Sequence, residues 1–352
     1  MMNVQMILQL GNHGYHPKRW RWRNLAVLCL ICASVTLTHI ILLRPNLYLL
    51  YQSQLCTAAS TTDTTTTKAA SDSGLDSGTG DEPLIPRKIW QIFYSDDLDE
   101  GTLVDTTSWL VRNKDYAYTL VGMDGADRFV NEHFADDPEL RKTYHALPNF
   151  GMKSDLLRYL LLWIEGGVYA DIDTTALRPV RDWVPRALRP LVRAVVGIEF
   201  DRRDGGGWAE IPHDLQFGQW TLAAAPGHPL FGAMAARALA SAAALARDHG
   251  TTLPLLRPSN MEVLNATGPA AWTDVVFDHL RREDPRLVSL RNFSFMEEPT
   301  LYGDVLVLPI DGFGMGQPHS GSTPDDGEGG TIPDVALVKH HFRGKWRQTD
   351  AS

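Results

Sequence analysis

Hydrophobic and polar positions divide the chain into three zones. Leu25–Leu43 (LAVLCLICASVTLTHIILL) is an apolar run of 19 residues in which only His39 could carry a charge near neutral pH; Lys18, Arg19, Arg21 and Arg23 precede it, and Arg44 and Pro45 close it. As a helix it would cover roughly 28 Å at ~1.5 Å per residue, enough for a thin bilayer. The stretch from there to residue 81, above all TTDTTTTKAASDSGLDSGTGD, is rich in Thr, Ser, Gly and Asp. It has too few large apolar side chains to fold by burial. Beyond it, blocks of element length follow. Ile85–Tyr94 reads as a buried strand and Tyr116–Met123 as a second. Lys153–Glu165 reads as a helix, apolar nearly all round, stopped by Gly166 and Gly167. Strands are predicted at Val168–Ile172, Ala194–Phe200, Val305–Ile310 and Val335–Val338, and an Ala-rich helix at Phe231–Asp248. Alternating strands and helices predict an α/β domain with a mostly parallel sheet.

These zones predict a basic cytosolic tail (1–24), a transmembrane signal anchor (25–43), a disordered luminal stem (44–81) and one folded domain (82–352). The positive flank stays in the cytosol, which places the C-terminus in the lumen. A cleaved signal peptide is the competing reading. It would need an h-region of about 7–15 residues and a small-x-small cleavage site, and neither is evident. A short span suits an early secretory membrane.

The formal net charge of −9 offers no basic field for a polyanion, so nucleic acid is excluded as the expected partner. The three cysteines, Cys29, Cys32 and Cys56, all precede the folded zone. That zone therefore holds neither a disulfide framework nor a thiolate zinc site. Cys56 is left open between pairing with a second chain and a free or lipidated thiol.

The chemistry concentrates in Gly151–Val180 (GMKSDLLRYLLLWIEGGVYADIDTTALRPV). Asp171 and Asp173 end the strand predicted at 168–172, where open α/β sheets bind ligands. In extended chain the two side chains share a face. Two hard carboxylates suit Mn²⁺ or Mg²⁺ bridging a diphosphate. An isolated Asp-x-Asp is more often a pair of solvated turn residues; the buried helix, Gly-Gly and apolar strand before it reverse that judgement. Asp155 and Arg158 lie three apart on the apolar helix and, once buried, need partners such as sugar or ribose hydroxyls. His340 and His341 lie in HHFRGKW near the C-terminus. A neutral imidazole there could complete a metal shell. Nucleotide-binding P-loop, dinucleotide, zincin and hydrolase-elbow motifs are absent from the sequence. Asn265 and Asn292 open N-glycosylation sequons, meaningful only for a luminal domain.

With these residues in view, the sequence resembles glycosyltransferase family 32, and within it the fungal initiation-specific α-1,6-mannosyltransferases. The resemblance runs from about Ile85 to Trp346 through IPRKIWQ, SDLLRYLLLWIEGGVYADID, VGIEFD, LQFGQWTLAAAPGHPLF, TGPAAWTD, VLVLPIDGFGMG and HHFRGKW. It departs from the expected pattern at Lys345, Gly218, His213 and Asp214. It implies a Rossmann-like GT-A nucleotide-binding domain behind the anchor, in a Golgi type II membrane enzyme. It further implies Mn²⁺ (or Mg²⁺), GDP-mannose as donor, and transfer with retention to an N-glycan mannose. Asp171 and Asp173 match the metal motif, with His341 as the late metal or diphosphate ligand and the choice between His340 and His341 open. Asp155, Arg158, Tyr169 and Asp171 match donor-contacting positions, and Trp90 and Gln91 match the nucleotide-binding strand end. Glu199 and Gln219 are the expected neighbours of the anomeric carbon, beside Asp155 and Arg158. Other donors (a UDP-hexose), a sphingolipid acceptor, a catalytically silent subunit of a mannan-synthesising complex, and homo- or hetero-oligomers remain alternatives. A phosphohydrolase would need a further ligand cluster that the sequence does not offer.

Overall fold

Lys88–Ile92 forms the strand expected over 85–94, and it becomes the reference for the rest of the sheet. The computed structural model describes residues 83–94, 99–208, 210–317, 321–324 and 331–343. The predicted tail, anchor and stem, and Lys345 and Trp346, lie outside them. The elements in chain order are β1 (Lys88–Ile92), α1 (Glu100–Arg112), β2 (Ala117–Val121), α2 (Met123–His133), α3 (Pro138–Ala146), α4 (Phe150–Ile164), β3 (Gly167–Ala170) and β4 (Thr174–Ala176). There follow β5 (Ala194–Asp201), β6 (Leu215–Phe217), β7 (Thr221–Ala224), α5 (Pro229–Asp248), α6 (Asn260–Ala266), α7 (Pro269–Glu283), β8 (Thr300–Tyr302), β9 (Val305–Leu308), α8 (Ile310–Gly314) and β10 (Val338–His340).

The main sheet runs β2-β1-β3-β7-β5-β9-β8, with β6 added to β5. The expectation of a mostly parallel sheet is corrected. β1 is parallel to β2 and β3, and β5 to β9, but β7 is antiparallel to both β3 and β5. The reversal follows from connectivity. β5 folds back on β6 as an antiparallel pair, and β7 continues β6 after three residues, so it must run against β5. The last strand is also shifted: the segment expected at 335–338 pairs only over Val338–His340, antiparallel to β4 in a separate two-stranded sheet.

Both faces of the main sheet are covered, which is why its strands read as continuous apolar runs rather than alternating ones. Tyr169, Ala194 and Val196 join one core with α4, α5 and α7, while Val168, Ala170 and Val195 join a second with Trp109, Trp183 and Phe313. Among the described residues one helix, Pro229–Asp248, is long and apolar enough to cross a membrane. It is a core helix: Leu230, Phe231, Met234, Ala235, Ala238 and Ala242 are buried in the first core.

α4 is the element that carries the site. Asn149 starts it, its side chain accepting from the Met152 N–H at 3.0 Å. Gly166 ends it at φ +63° and Gly167 follows at φ +98°. The chain thereby reverses directly into β3.

Candidate functional site

Because α4 is buried on nearly every side, its charged residues must find partners inside the protein. Asp155 and Arg158 are 4% and 5% exposed. Arg158 Nη2 lies 3.1 Å from Asp155 Oδ1 and 3.4 Å from Asp171 Oδ1. Its guanidinium stands 4.7 Å from the Tyr169 ring centre, and Nη1 donates to the Gln219 carbonyl at 3.4 Å. Asp155 also accepts from Gln219 Nε2 at 3.0 Å and Thr267 Oγ1 at 2.8 Å. Tyr169 donates to Asp171 Oδ1 at 2.5 Å, and Tyr159 donates to the Gln219 side chain. Burial lifts the Asp155 carboxyl to about 6, with Arg158 pulling the other way. Burial would also strip the proton from Arg158, but Tyr169, Asp171 and Asp155 more than offset it and keep the cation charged.

Asp171 and Asp173 do not project from an extended strand, as their spacing suggests. β3 ends at Ala170, and the pair sits on the turn into β4, closed by Thr174 Oγ1 donating to the Asp171 carbonyl at 2.6 Å. Their carboxylates converge with the His340 imidazole, donor atoms all within 4.8 Å of one another. His340 Nε2 is 3.1 Å from Asp173 Oδ1, and the Arg343 backbone N–H donates to Oδ2 at 2.9 Å. Burial acts to raise Asp173, but the bonds from His340 and Arg343 outweigh it and hold the carboxyl at about 2. Burial raises Asp171 against the pull of Arg158. Two carboxylates and one imidazole form a donor set that suits Mn²⁺ or Mg²⁺. The expected histidine, His341, is instead turned to Thr175 Oγ1 (2.9 Å) and Asp105 Oδ1 (3.2 Å). One step along an extended chain reverses the side-chain direction, so only one of the two neighbours can face the pair.

These groups line a cavity of about 1220 Å³ at the carboxyl ends of β1 and β3. Asp155, Arg158, Tyr169, Asp171, Asp173, Glu199 and Gln219 all face it. Glu199 accepts from Gln216 Nε2 at 3.1 Å, and burial lifts its carboxyl to about 7. Trp90 and Gln91 are not brought to the cavity. Trp90 Nε1 donates to the Gly166 carbonyl at 2.8 Å, tying β1 to the end of α4. Gln91 Nε2 donates to the Asp171 carbonyl at 2.9 Å and accepts from Tyr118 at 2.6 Å, so it braces the turn from behind. The strand end reaches the cavity one to three residues later, at Ile92, Phe93 and Tyr94.

Comparison with known proteins converges on the same segment. Residues 102–189, which contain Asp155, Arg158, Tyr169, Asp171 and Asp173, match the family model described as "Glycosyltransferase sugar-binding region containing DXD motif". The resemblance to glycosyltransferase family 32 is thereby borne out. An "Initiation-specific alpha-1,6-mannosyltransferase" of Schizosaccharomyces pombe is 34% identical over 75% of this chain and 64% of its own length. The "Putative glycosyltransferase HOC1" of Saccharomyces cerevisiae is 32% identical over 64% of this chain and 58% of its own. The Candida albicans "Initiation-specific alpha-1,6-mannosyltransferase" is 29% identical, over 75% and 72%. The chain thus spans less than two thirds of the length of the first two relatives. Among solved structures, "PaToxG Glycosyltransferase" matches 59% of this chain and 74% of its own at 18% identity and a TM-score of 0.38, a likeness too slight to carry an argument.

The matched segment accounts for only part of the cavity. Thr267, which fixes Asp155 from behind the lining, and Trp220, Phe342 and Arg343, which line one side, all lie outside the matched residues. The only signal for Thr267 is its place at the head of TGPAAWTD. A second His–Asp group, His228, His279 and Asp304, lies outside the cavity lining. His228 Nδ1 accepts from the Leu230 N–H at 3.3 Å, capping α5. The proton of the neutral ring is then on Nε2, which donates to Asp304 Oδ1 at 3.3 Å. That tautomer has no free lone pair for a metal, and the group reads as a buried helix cap.

Proposed function

We propose that this chain is a metal-dependent α-1,6-mannosyltransferase that moves mannose from GDP-mannose to an N-glycan mannose with retention. It works in the Golgi lumen, on a type II anchor at residues 25–43. The observation that carries this reading is the buried Arg158 between Asp155 and Asp171, beside Asp173 and His340, on the floor of the cavity. The names of the relatives support the mannose donor and the α-1,6 linkage.

Asp171, Asp173 and His340 would hold Mn²⁺ (or Mg²⁺), which when bound offsets charge on a departing diphosphate. Asp155 and Arg158 supply an acceptor and donors for sugar hydroxyls. Because each is already locked by Gln219, Thr267 and Tyr169, the geometry is set before the donor arrives. Glu199, whose carboxyl burial raises to about 7, lines the cavity where it can hydrogen-bond the incoming acceptor hydroxyl. The hydroxyl attacks the face that the diphosphate leaves, and its proton goes to the departing phosphate, so no covalent nucleophile is required.

The test offers the full-length chain in detergent GDP-mannose and, separately, UDP-glucose and UDP-galactose, with a high-mannose N-glycan as acceptor. A gain of one hexose from GDP-mannose alone, α-1,6-linked, lost on chelation and restored by Mn²⁺, is the expected result. Transfer from a UDP-hexose would replace the donor assignment. A folded protein that turns over no donor would end the enzyme reading in favour of a silent subunit.

A further inference from the structure

The C-terminal segment 338–343 brings His340, Phe342 and Arg343 to the cavity, yet its own backbone pairing is slight. β10 meets β4 over three register pairs, Val338↔Ala176, Lys339↔Thr175 and His340↔Thr174. A two-stranded ribbon of that size is not stable alone. Phe342 sits at φ +50°, a left-handed backbone position that non-glycine residues adopt only under strain. Val338 is buried in the second core, Lys339 bridges Met315, and the His341 N–H donates to the Asp173 carbonyl at 3.0 Å, but the side chains at the far end need a further anchor.

The side chains of His341 and Arg343 converge on Asp105 of α1, which is 2% exposed and has no part in the Asp-x-Asp motif. Its Oδ1 accepts from Thr175 Oγ1 at 2.8 Å and faces His341 Nε2 at 3.2 Å. Arg343 Nη2 comes within 2.7 Å of Oδ2, an ion pair by proximity rather than an aligned hydrogen bond. One buried carboxylate thus gathers a residue of β4 and two of the C-terminal segment. The strained turn at Phe342 lets the His341 and Arg343 side chains reach Asp105 while the Arg343 N–H reaches Asp173. Between them, His340 faces Asp173 and the Trp220 ring, 4.7 Å between centres. α1 also makes room for the clamp at Gly101, where an added Cβ would lie 3.1 Å from Arg343 Nη2.

We propose that Asp105 is a positioning residue of the transfer site: it docks segment 338–343 so that His340 and the Arg343 N–H are held on Asp173. The catalytic consequence rests on the function proposed above; the docking itself does not. Asp105→Asn keeps the side-chain shape and removes the charge that holds Arg343. Arg343→Gln, on the more exposed side of the same contact, breaks the clamp without touching the core. In amide hydrogen exchange, both variants of the full-length protein are expected to lose at least about tenfold protection at His341 and Arg343, with α4 and β1 unchanged. In GDP-mannose turnover, each is expected to lose about 10–100-fold, as outer-shell partners of metal ligands do. The double variant Asp105→Asn/His340→Ala should be no worse than His340→Ala, because the first residue acts through the second. Unchanged protection in the segment, additive kinetic losses, or lost protection with full turnover would each overturn the proposal. If wild-type protein turned over no donor, the transferase reading would fail while the exchange result still decided whether Asp105 docks the segment.

Discussion

Asp155 and Glu199 are both buried in the cavity wall, but they are stabilised differently. Asp155 has Arg158, Gln219 and Thr267 around it, and truncating it leaves a buried guanidinium short of a partner. Asp155→Ala is expected to cost about 3–5 kcal/mol of stability as well as turnover. Asp155→Asn should keep most of the stability and lose turnover, which urea unfolding and a transfer assay together separate. Glu199 has Gln216 beside it, and burial raises its carboxyl to about 7 from an ordinary value near 4.5. The folded state therefore holds a proton that the unfolded chain releases. Stability falls as pH rises from about 4.5 to about 7 and is level above that. Glu199→Gln should be more stable than wild type by about 2–3 kcal/mol above pH 7, with the advantage vanishing near pH 4.5. Urea midpoints across that range check the sign.

At the level of elements, the turn from α4 into β3 sets the distance between Arg158 and the Asp-x-Asp pair. Gly167 has φ +98°, and a Cβ there would sit 2.7 Å from the Lys88 carbonyl of β1. Backbone cannot yield as a flexible side chain can. Gly167→Ala is expected to cost about 2–4 kcal/mol and to loosen the β1–β3 pairing, read as a lower urea midpoint and faster exchange of β1 amides. α4 itself was legible because six large apolar residues crowd it and Gly-Gly closes it. Helices α1 to α3 and α7 were not read from the sequence. They bury one stripe each, and on α1 polarity does not follow burial: Asp105 and Trp109 are buried, while Leu103, Val104, Leu110 and Val111 are exposed.

For the whole molecule, acid sensitivity should arise away from the cavity lining. Burial lowers the affinity of His228 and His279 for protons, with Asp304 opposing and Arg193 and Arg282 adding to the effect. Both bind protons less readily in the fold than in the unfolded chain, whose histidines protonate below about 6.5. The unfolded state then binds more protons, so stability is full above that value and falls as pH drops through it. His228→Asn retains a capping acceptor for the Leu230 N–H and removes the titrating ring. It is expected to flatten the decline between about pH 7 and pH 5 in thermal melts.

Local sequence determined which residues could be chemical. A charged pair three apart on an all-apolar helix announces that Asp155 and Arg158 are buried and need partners. Carboxylates just past Gly-Gly and an apolar strand announce a strand-end site. Both follow from periodicity and desolvation, which act over a few residues. Tertiary structure decided what each residue faces. The turn after Ala170, rather than a strand face, converges Asp171 and Asp173. The docking of β10 on β4 turned His340 rather than His341 toward Asp173, and bonds to the Gly166 and Asp171 carbonyls hold Trp90 and Gln91 off the cavity lining. β7 reversed the sheet because of the short link from β6. Asp105 could not be found at all, since its partners His341 and Arg343 lie more than 230 residues further along the chain. Side-chain direction and long-range partnership are set by which elements pack together, and no local pattern of hydrophobic and polar residues encodes that.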